Sequence, residues 1–241
     1  MAQQPWRTGK IIKIEDETAT TKKFWIQIPE VDHFDFIPGQ FVTLDLPIHE
    51  QPNKRWRSYS IASPPDGTNV FELIIVLMEG GLGTTYLFNE AKVGTEFPVR
   101  GPQGHFTLTD PITTDIFMVC TGTGIAPFRS MVHHIHKNNI QHKEIYLIYG
   151  TRKCSDGLYL QEMMHLKSIL PGFHYFPTFS REEQVQDQYY TGYVHGIYEK
   201  LMQDKKDMPH FYLCGWKDMI NDARQRIQSL GVDKKIGRAH V

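Results

Sequence analysis

Cysteine is scarce: Cys120, Cys154 and Cys214 are the three in 241 residues. An odd, widely spaced set excludes a disulfide framework, a four-thiolate iron–sulfur site and an all-cysteine zinc site. A reducing, cytoplasmic compartment is the expectation that follows. Charge excess is also missing. Lys and Arg number 26 against 27 Asp and Glu, a net charge of −1. That excludes a strongly basic nucleic-acid binder. No apolar run approaches the ~18–20 residues of a membrane span, and no signal peptide opens the chain. Internal repeats and low-complexity tracts are absent from the sequence. The composition, 40% hydrophobic and 22% charged, is rich enough for packed cores and too apolar for disorder.

Two halves follow different patterns. Up to about residue 108 the chain reads as short strands. Val42, Leu44 and Leu46 alternate with other residues, and the stretch 70–78 (V-F-E-L-I-I-V-L-M) is a long strand candidate. Turn signals separate them at Pro38-Gly39, Pro64-Pro65-Asp66-Gly67, Gly80-Gly81 and Gly101-Pro102-Gln103-Gly104. This spacing predicts an antiparallel β-barrel over 1–108, with one short helix starting near Thr84. From about residue 112, buried-strand runs at 116–120 (I-F-M-V-C), 145–149 (I-Y-L-I-Y) and 211–214 (F-Y-L-C) alternate with amphipathic helices. Strand–helix alternation predicts an α/β domain with a parallel sheet over 112–235.

Several segments carry chemistry, each beside a plainer reading. Arg57, Tyr59 and Ser60 in R-S-Y-S offer a cation, a flat ring and a hydroxyl, suited to a phosphate and a ring system. They also suit an ordinary exposed strand. The run Gly80-Gly81-Leu82-Gly83-Thr84-Thr85 opens a helix, where free N–H groups favour an anion. A capped hairpin is the simpler account. Gly122, Thr123 and Gly124 lie between a strand and a helix, where α/β sheets bind phosphates, although Pro127 replaces the third glycine of the dinucleotide fingerprint. Cys214-Gly215 ends a later strand, at the sheet edge where ligands lie; a buried structural thiol is the alternative. Ser180 and Arg181 pair a hydroxyl with a guanidinium, as a phosphate monoester needs, or form a solvated loop. His133, His134 and His136 share a helix without a matching carboxylate or cysteine, so solvated histidines are expected rather than a metal site.

Taken in order, R-S-Y-S at 57–60, G-G-L-G-T-T-Y-L at 80–87, G-P-Q-G at 101–104, G-T-G-I-A-P at 122–127, Y-G-T-R at 149–152, S-R-E at 180–182 and L-C-G at 213–215 resemble the ferredoxin–NADP reductase family of flavoproteins. The resemblance spans about residues 5–235 and is strongest to stand-alone bacterial members. It implies an FAD-dependent NAD(P)H oxidoreductase that passes electrons to a ferredoxin- or flavodoxin-like carrier. It further implies that Arg57, Tyr59, Ser60, Gly83, Thr84 and Thr85 hold FAD. Gly122, Thr123 and Gly124 would receive the nucleotide pyrophosphate. Ser180, Arg181 and Tyr190 would face the adenosine end, with NADPH favoured over NADH. Ser60 would lie near flavin N5 and Cys214 near nicotinamide C4, the two catalytic candidates. No metal is implied. Lys54, Arg55 and Arg57 form a basic cluster that would steer an acidic carrier, or serve only the cofactor phosphates. Two alternatives stand beside this reading: a reductase of small acceptors such as free flavin, quinone or ferric complexes, and a nucleotide-binding regulatory subunit.

The end of the chain departs from the pattern. Gly231 fits the residue that closes a final helix, after which an apolar strand should return to the sheet. Instead the chain reads I-G-R-A-H-V at 236–241, which is also one translation of a common sequencing adapter, ATCGGAAGAGCACACGTC. A non-native tail is therefore expected at 236–241, and with it a sheet lacking an edge strand.

Overall fold

The computed structural model describes residues 4–203, 205, 207–232 and 236–240. The first half forms a six-stranded antiparallel sheet in the order β4-β3-β6-β1-β2-β5. These strands are β1 (Trp6–Thr18), β2 (Thr21–Gln27), β3 (Phe41–Asp45), β4 (Trp56–Ser60), β5 (Val70–Val76) and β6 (Glu96–Gln103). The sheet curls until its two edges meet. Beyond β4 the Ala62 N–H donates to the Glu72 carbonyl on β5 at 2.8 Å, and the Glu72 N–H donates to Ser63 Oγ at 3.0 Å. Inside, alternate residues fill the barrel: Val42, Leu44, Phe71, Leu73, Phe97 and Val99 are all buried. Helix α1 (Leu82–Asn89) follows β5 and inserts Leu87 into this core.

The second half is a parallel sheet in the order β10-β9-β8-β7-β11-β12. It is built from β7 (Ile116–Thr121), β8 (Ile145–Thr151), β9 (Phe173–Phe179), β10 (Tyr190–Thr191), β11 (His210–Gly215) and β12 (Ile236–His240). Helices α2 (Ala126–Lys137), α3 (Leu160–Ile169), α4 (Val194–Met202) and α5 (Lys217–Ser229) cover its two faces. Both faces of the central strands are buried, as unbroken apolar runs require. Pro127 falls in the first turn of α2, where its missing N–H has no partner to lose. Gly231, at φ +86°, closes α5 as its position in the sequence suggests.

The two halves share a core. Ala62 and Ile74 of the barrel pack into the same apolar cluster as Phe128 and Met131 of α2. Phe106, on the connecting segment, lies 5.7 Å from the Phe128 ring and 5.6 Å from the Tyr212 ring. Among the described residues, no helix is long and apolar enough to cross a membrane.

One expectation is corrected. The backbone of 236–240 pairs in parallel with β11, from Phe211↔Ile236 to Gly215↔His240. Main-chain groups pair without needing apolar alternation, and β11 offers an open edge there. The expected absence of an edge strand is therefore wrong.

Candidate active site

A cleft of about 1460 Å³ runs between the two domains. A pocket for one drug-sized ligand spans roughly 300–1,000 Å³, so this volume suits two ligands, or one long one. The barrel contributes Thr20, Thr21, Arg57, Ser58, Tyr59 and residues 74–76, with Gly81 to Thr84 at the start of α1. From the parallel sheet come Thr121 to Thr123, the β8 end with Arg152, Ser180, and the starts of α4 and α5.

On the barrel side, β4 pairs with β3 in the register Val42↔Tyr59 and Leu44↔Arg57. Arg57 and Tyr59 therefore lie on one face of the strand. Burial pushes the Tyr59 phenol up to about 12, against the opposing influence of the Arg57 charge, so it stays neutral. The Arg57 guanidinium donates to the carbonyls of Lys54 at 3.0 Å and Trp56 at 2.8 Å. Its stem lies under the first turn of α1: a Cβ on Gly83 would stand 2.9 Å from Arg57 Cγ. A cation and a helix N-terminus thus share one corner of the cleft, a strong setting for an anion. Thr84 has a local task. Its hydroxyl accepts from the Met78 N–H at 3.1 Å and donates to the Gly81 carbonyl at 3.1 Å, closing the loop before α1.

On the other side, Gly122 (φ +53°) begins a 3-10 turn that leads into α2. This turn and the end of β11 approach at main-chain distance. A Cβ on Gly124 would meet the Cys214 carbonyl oxygen at 2.4 Å, and one on Gly215 (φ +135°) would meet Thr121 Oγ1 at 2.3 Å. The Trp216 N–H donates to Thr121 Oγ1 at 3.1 Å. The starts of α2, α4 and α5 all lie at this carboxyl edge of the sheet, the usual ligand edge of open α/β folds.

Of the residues singled out from the sequence, Arg57, Tyr59, Gly83, Thr84, Gly122, Thr123 and Ser180 line the cleft. Ser60, Thr85, Gly124, Arg181, Tyr190 and Cys214 stand outside its lining. Ser60 continues β4 opposite Phe41, and Gly124 is buried against β11. Arg181 is exposed, and the Tyr190 ring packs on Phe176 at 5.5 Å. Cys214 is fully buried, level with Cys120 on β7, and burial pushes its thiol up.

Further residues complete the lining. Arg152 belongs to the quoted Y-G-T-R segment, and Trp216, 56% exposed, directly follows L-C-G. His195, Asp222, Arg226 and Glu199 form a polar wall from α4 and α5. His195 Nε2 lies 3.2 Å from Asp222, and Arg226 binds Asp222 at 2.8 Å and Glu199 at 3.0 Å. Burial pulls the His195 pKa down, against the raising effect of Asp222. Spacing along α4 and α5 could have indicated that these faces are polar, not that they converge. Among the described residues, no three His, Cys, Asp or Glu side chains are grouped to hold a metal.

Comparison with known proteins agrees with this geometry. Residues 8–108 match the oxidoreductase FAD-binding domain family, and residues 118–225 match the oxidoreductase NAD-binding domain family. The chain is 32% identical over 84% of its length to ferredoxin--NADP reductase B of Sorangium cellulosum, covering 83% of that protein. It is 29% identical over 90% of its length to a 2-halobenzoate 1,2-dioxygenase electron transfer component of Burkholderia cepacia, covering 62% of it. A Neisseria gonorrhoeae ferredoxin NADP+ reductase with bound FAD and NADP superposes with a TM-score of 0.80 at 22% identity, over 100% of this chain and 99% of that one. The chain belongs to the ferredoxin–NADP reductase family, with an FAD-binding barrel followed by an NAD-binding α/β domain. It spans somewhat under two thirds of several relatives, 62% and 63% of two of them.

Proposed function

We propose that the chain is an NAD(P)H-dependent FAD reductase that hands electrons to a protein carrier of the ferredoxin or flavodoxin kind. The observation that carries this reading is one cleft lined from both domains: by Arg57 and the start of α1 on one side, and by Gly122 and Thr123, just before α2, on the other. Gly83 packs on the Arg57 side-chain stem and Gly124 on the Cys214 main chain, contacts that a side chain at either position would not allow.

Arg57, Tyr59, Gly83 and Thr84 would hold FAD, with Arg57 on its phosphates and Tyr59 against its ring. Ser60 lies next along β4, and Thr85 next along α1. Gly122 and Thr123 would receive the nicotinamide nucleotide, with Ser180 and Arg152 toward its adenosine end. Bound FAD supplies the two-electron acceptance and one-electron release that no side chain here provides. The protein's share is orientation and exclusion of water. Cys214, fully buried with a protonated thiol, acts as a positioning residue that seats Gly215 and Trp216 rather than as a nucleophile. All three cysteines are free, which suits the reducing cytoplasm, the compartment we assign.

The carrier is argued from two facts. The Burkholderia cepacia relative bears the name of an electron transfer component, and Lys54 is exposed beside β4. A second reading, direct reduction of small acceptors, gains from one observation. Arg55 is paired through both its Nε and Nη2 with Asp45, each at 2.7 Å, which shrinks the basic cluster to Lys54 and Arg57. Cytochrome c reduction by NADPH, with and without added ferredoxin or flavodoxin, tests the choice. A rate that depends on added carrier supports the proposal. Fast reduction of free flavin or ferric citrate, with no carrier dependence, supports the second reading.

A further inference from the structure

A charged group lies buried where the two domains meet. Glu72 on β5 is 4% exposed. Its carboxylate accepts from the Tyr159 hydroxyl at 2.5 Å and from Arg129 Nη1 at 3.3 Å, both from the opposite domain. Arg129 on α2 also donates to the Ala62 carbonyl at 3.0 Å and to both Glu162 oxygens at 2.6 and 3.2 Å. Its guanidinium stands 4.3 Å from the Tyr159 ring centre. The Tyr159 N–H donates to Glu17 on β1 at 2.8 Å.

Tyr159 has a left-handed backbone, φ +53° and ψ +26°, and α3 starts only after it. A bulky non-glycine residue keeps that conformation only where its surroundings over-determine it. Here bonds from two barrel strands do so. Buried ion pairs are weak sources of stability, since apolar replacements are often as stable. What such a network does supply is one fixed arrangement of the parts it joins.

Those parts are the walls of the cleft. Residues 74–76 of β5 line it two residues beyond Glu72, and Leu158 lines it directly before Tyr159. Arg129 sits one turn into the helix that follows Gly122 and Thr123. We infer that the Glu72–Arg129–Tyr159 clasp is a positioning device that sets the spacing of the flavin and nucleotide walls for hydride transfer. This rests on the reductase reading above. A displacement of about 1 Å at reacting atoms can cost ~10²-fold in rate.

The test uses Y159F, which removes one hydroxyl, and E72Q, which keeps the shape and removes the charge. Spin labels go on Asn89→Cys and Gln225→Cys, both exposed and on opposite domains, in a Cys154→Ser background. Their distance distribution is measured on the protein as purified, without nucleotide. Stopped-flow reduction of the bound flavin at saturating NADPH is measured alongside. The clasp predicts a broader distribution and a rate roughly tenfold to a hundredfold slower, at unchanged flavin content and nucleotide Kd. Either quantity staying at the parent value in Y159F overturns the inference, as does a fall in denaturation midpoint alone. Should E72Q fail to fold, Y159F carries the test. A parent protein whose flavin neither NADPH nor NADH reduces contradicts the reductase reading instead; the label distances still decide whether the clasp sets the spacing.

Discussion

Gly124 and Cys214 meet main chain to main chain: a Cβ at residue 124 would stand 2.4 Å from the Cys214 carbonyl oxygen and 2.6 Å from its carbon. No real Cβ contact is that short, so only glycine lets the turn before α2 seat against β11. This junction fixes Thr121 to Thr123 and Trp216 together on the nucleotide side of the cleft.

Gly124→Ala should therefore push the turn away from β11. Forcing a methyl into packed backbone costs ~1–3 kcal/mol, read as a lower urea midpoint. The displaced turn should also raise KM for the nucleotide while flavin content holds. A variant with the parent midpoint and KM would show that the contact relaxes without consequence.

Nucleotide preference gives a second prediction. The sequence points to Arg181 beside Ser180, yet Arg152 is the guanidinium that lines the cleft near Ser180. Loss of a charge-assisted contact costs ~1.5–3 kcal/mol, roughly tenfold to a hundredfold. Arg152→Ala should lower kcat/KM for NADPH by that factor, with a smaller effect on NADH. Arg181→Ala should change both little. The reverse ranking of the two variants would restore Arg181 to the site, and equal use of the two nucleotides by the parent would refute the NADPH preference.

Acid stability follows from Glu162. Burial favours its neutral form, but hydrogen bonds from His133 and Arg129, with the Arg129 charge, outweigh that and hold the carboxyl at about 2, below its ordinary 4.5. A depressed carboxyl contributes stability that is fully present above the unfolded value and lost as pH falls through the folded one. Unfolding free energy should thus drop as pH falls from about 4.5 towards 2. Glu162→Gln should flatten that part of the profile and lower stability near neutrality. A slope unchanged by the substitution would assign the acid transition to other carboxylates.

The sequence carried the architecture further than the site. Alternation in the barrel strands and unbroken apolar runs in β7, β8 and β11 are local signals, because period and burial are imposed residue by residue. Helix α3 starts only at Leu160, since tertiary bonds hold Tyr159 out of the helical region, which no local pattern shows. The motif glycines Gly83 and Gly122 fall in the cleft lining for the same local reason. The polar wall of His195, Asp222 and Arg226 was not legible, because it exists only once α4 packs beside α5. Nor was the neutralisation of Arg55 by Asp45, a cross-strand pair ten residues apart.

At the far end, 236–240 occupies the edge slot beside β11, where the barrel-and-sheet pattern calls for an apolar strand. Sequencing of the source DNA past codon 235 is expected to give such a strand in place of I-G-R-A-H-V. A reading frame that encodes I-G-R-A-H-V and then stops would contradict this.

The proposed function stands on one interdomain cleft bringing a nicotinamide nucleotide to a bound FAD. Its most direct test is anaerobic mixing of the purified protein with NADPH, and separately with NADH, while following the visible flavin absorbance. A yellow protein, a heat-released cofactor that chromatographs as FAD, and rapid bleaching by NADPH are the expected results. A colourless protein that takes up no FAD, or a yellow one that neither nucleotide bleaches, would contradict it.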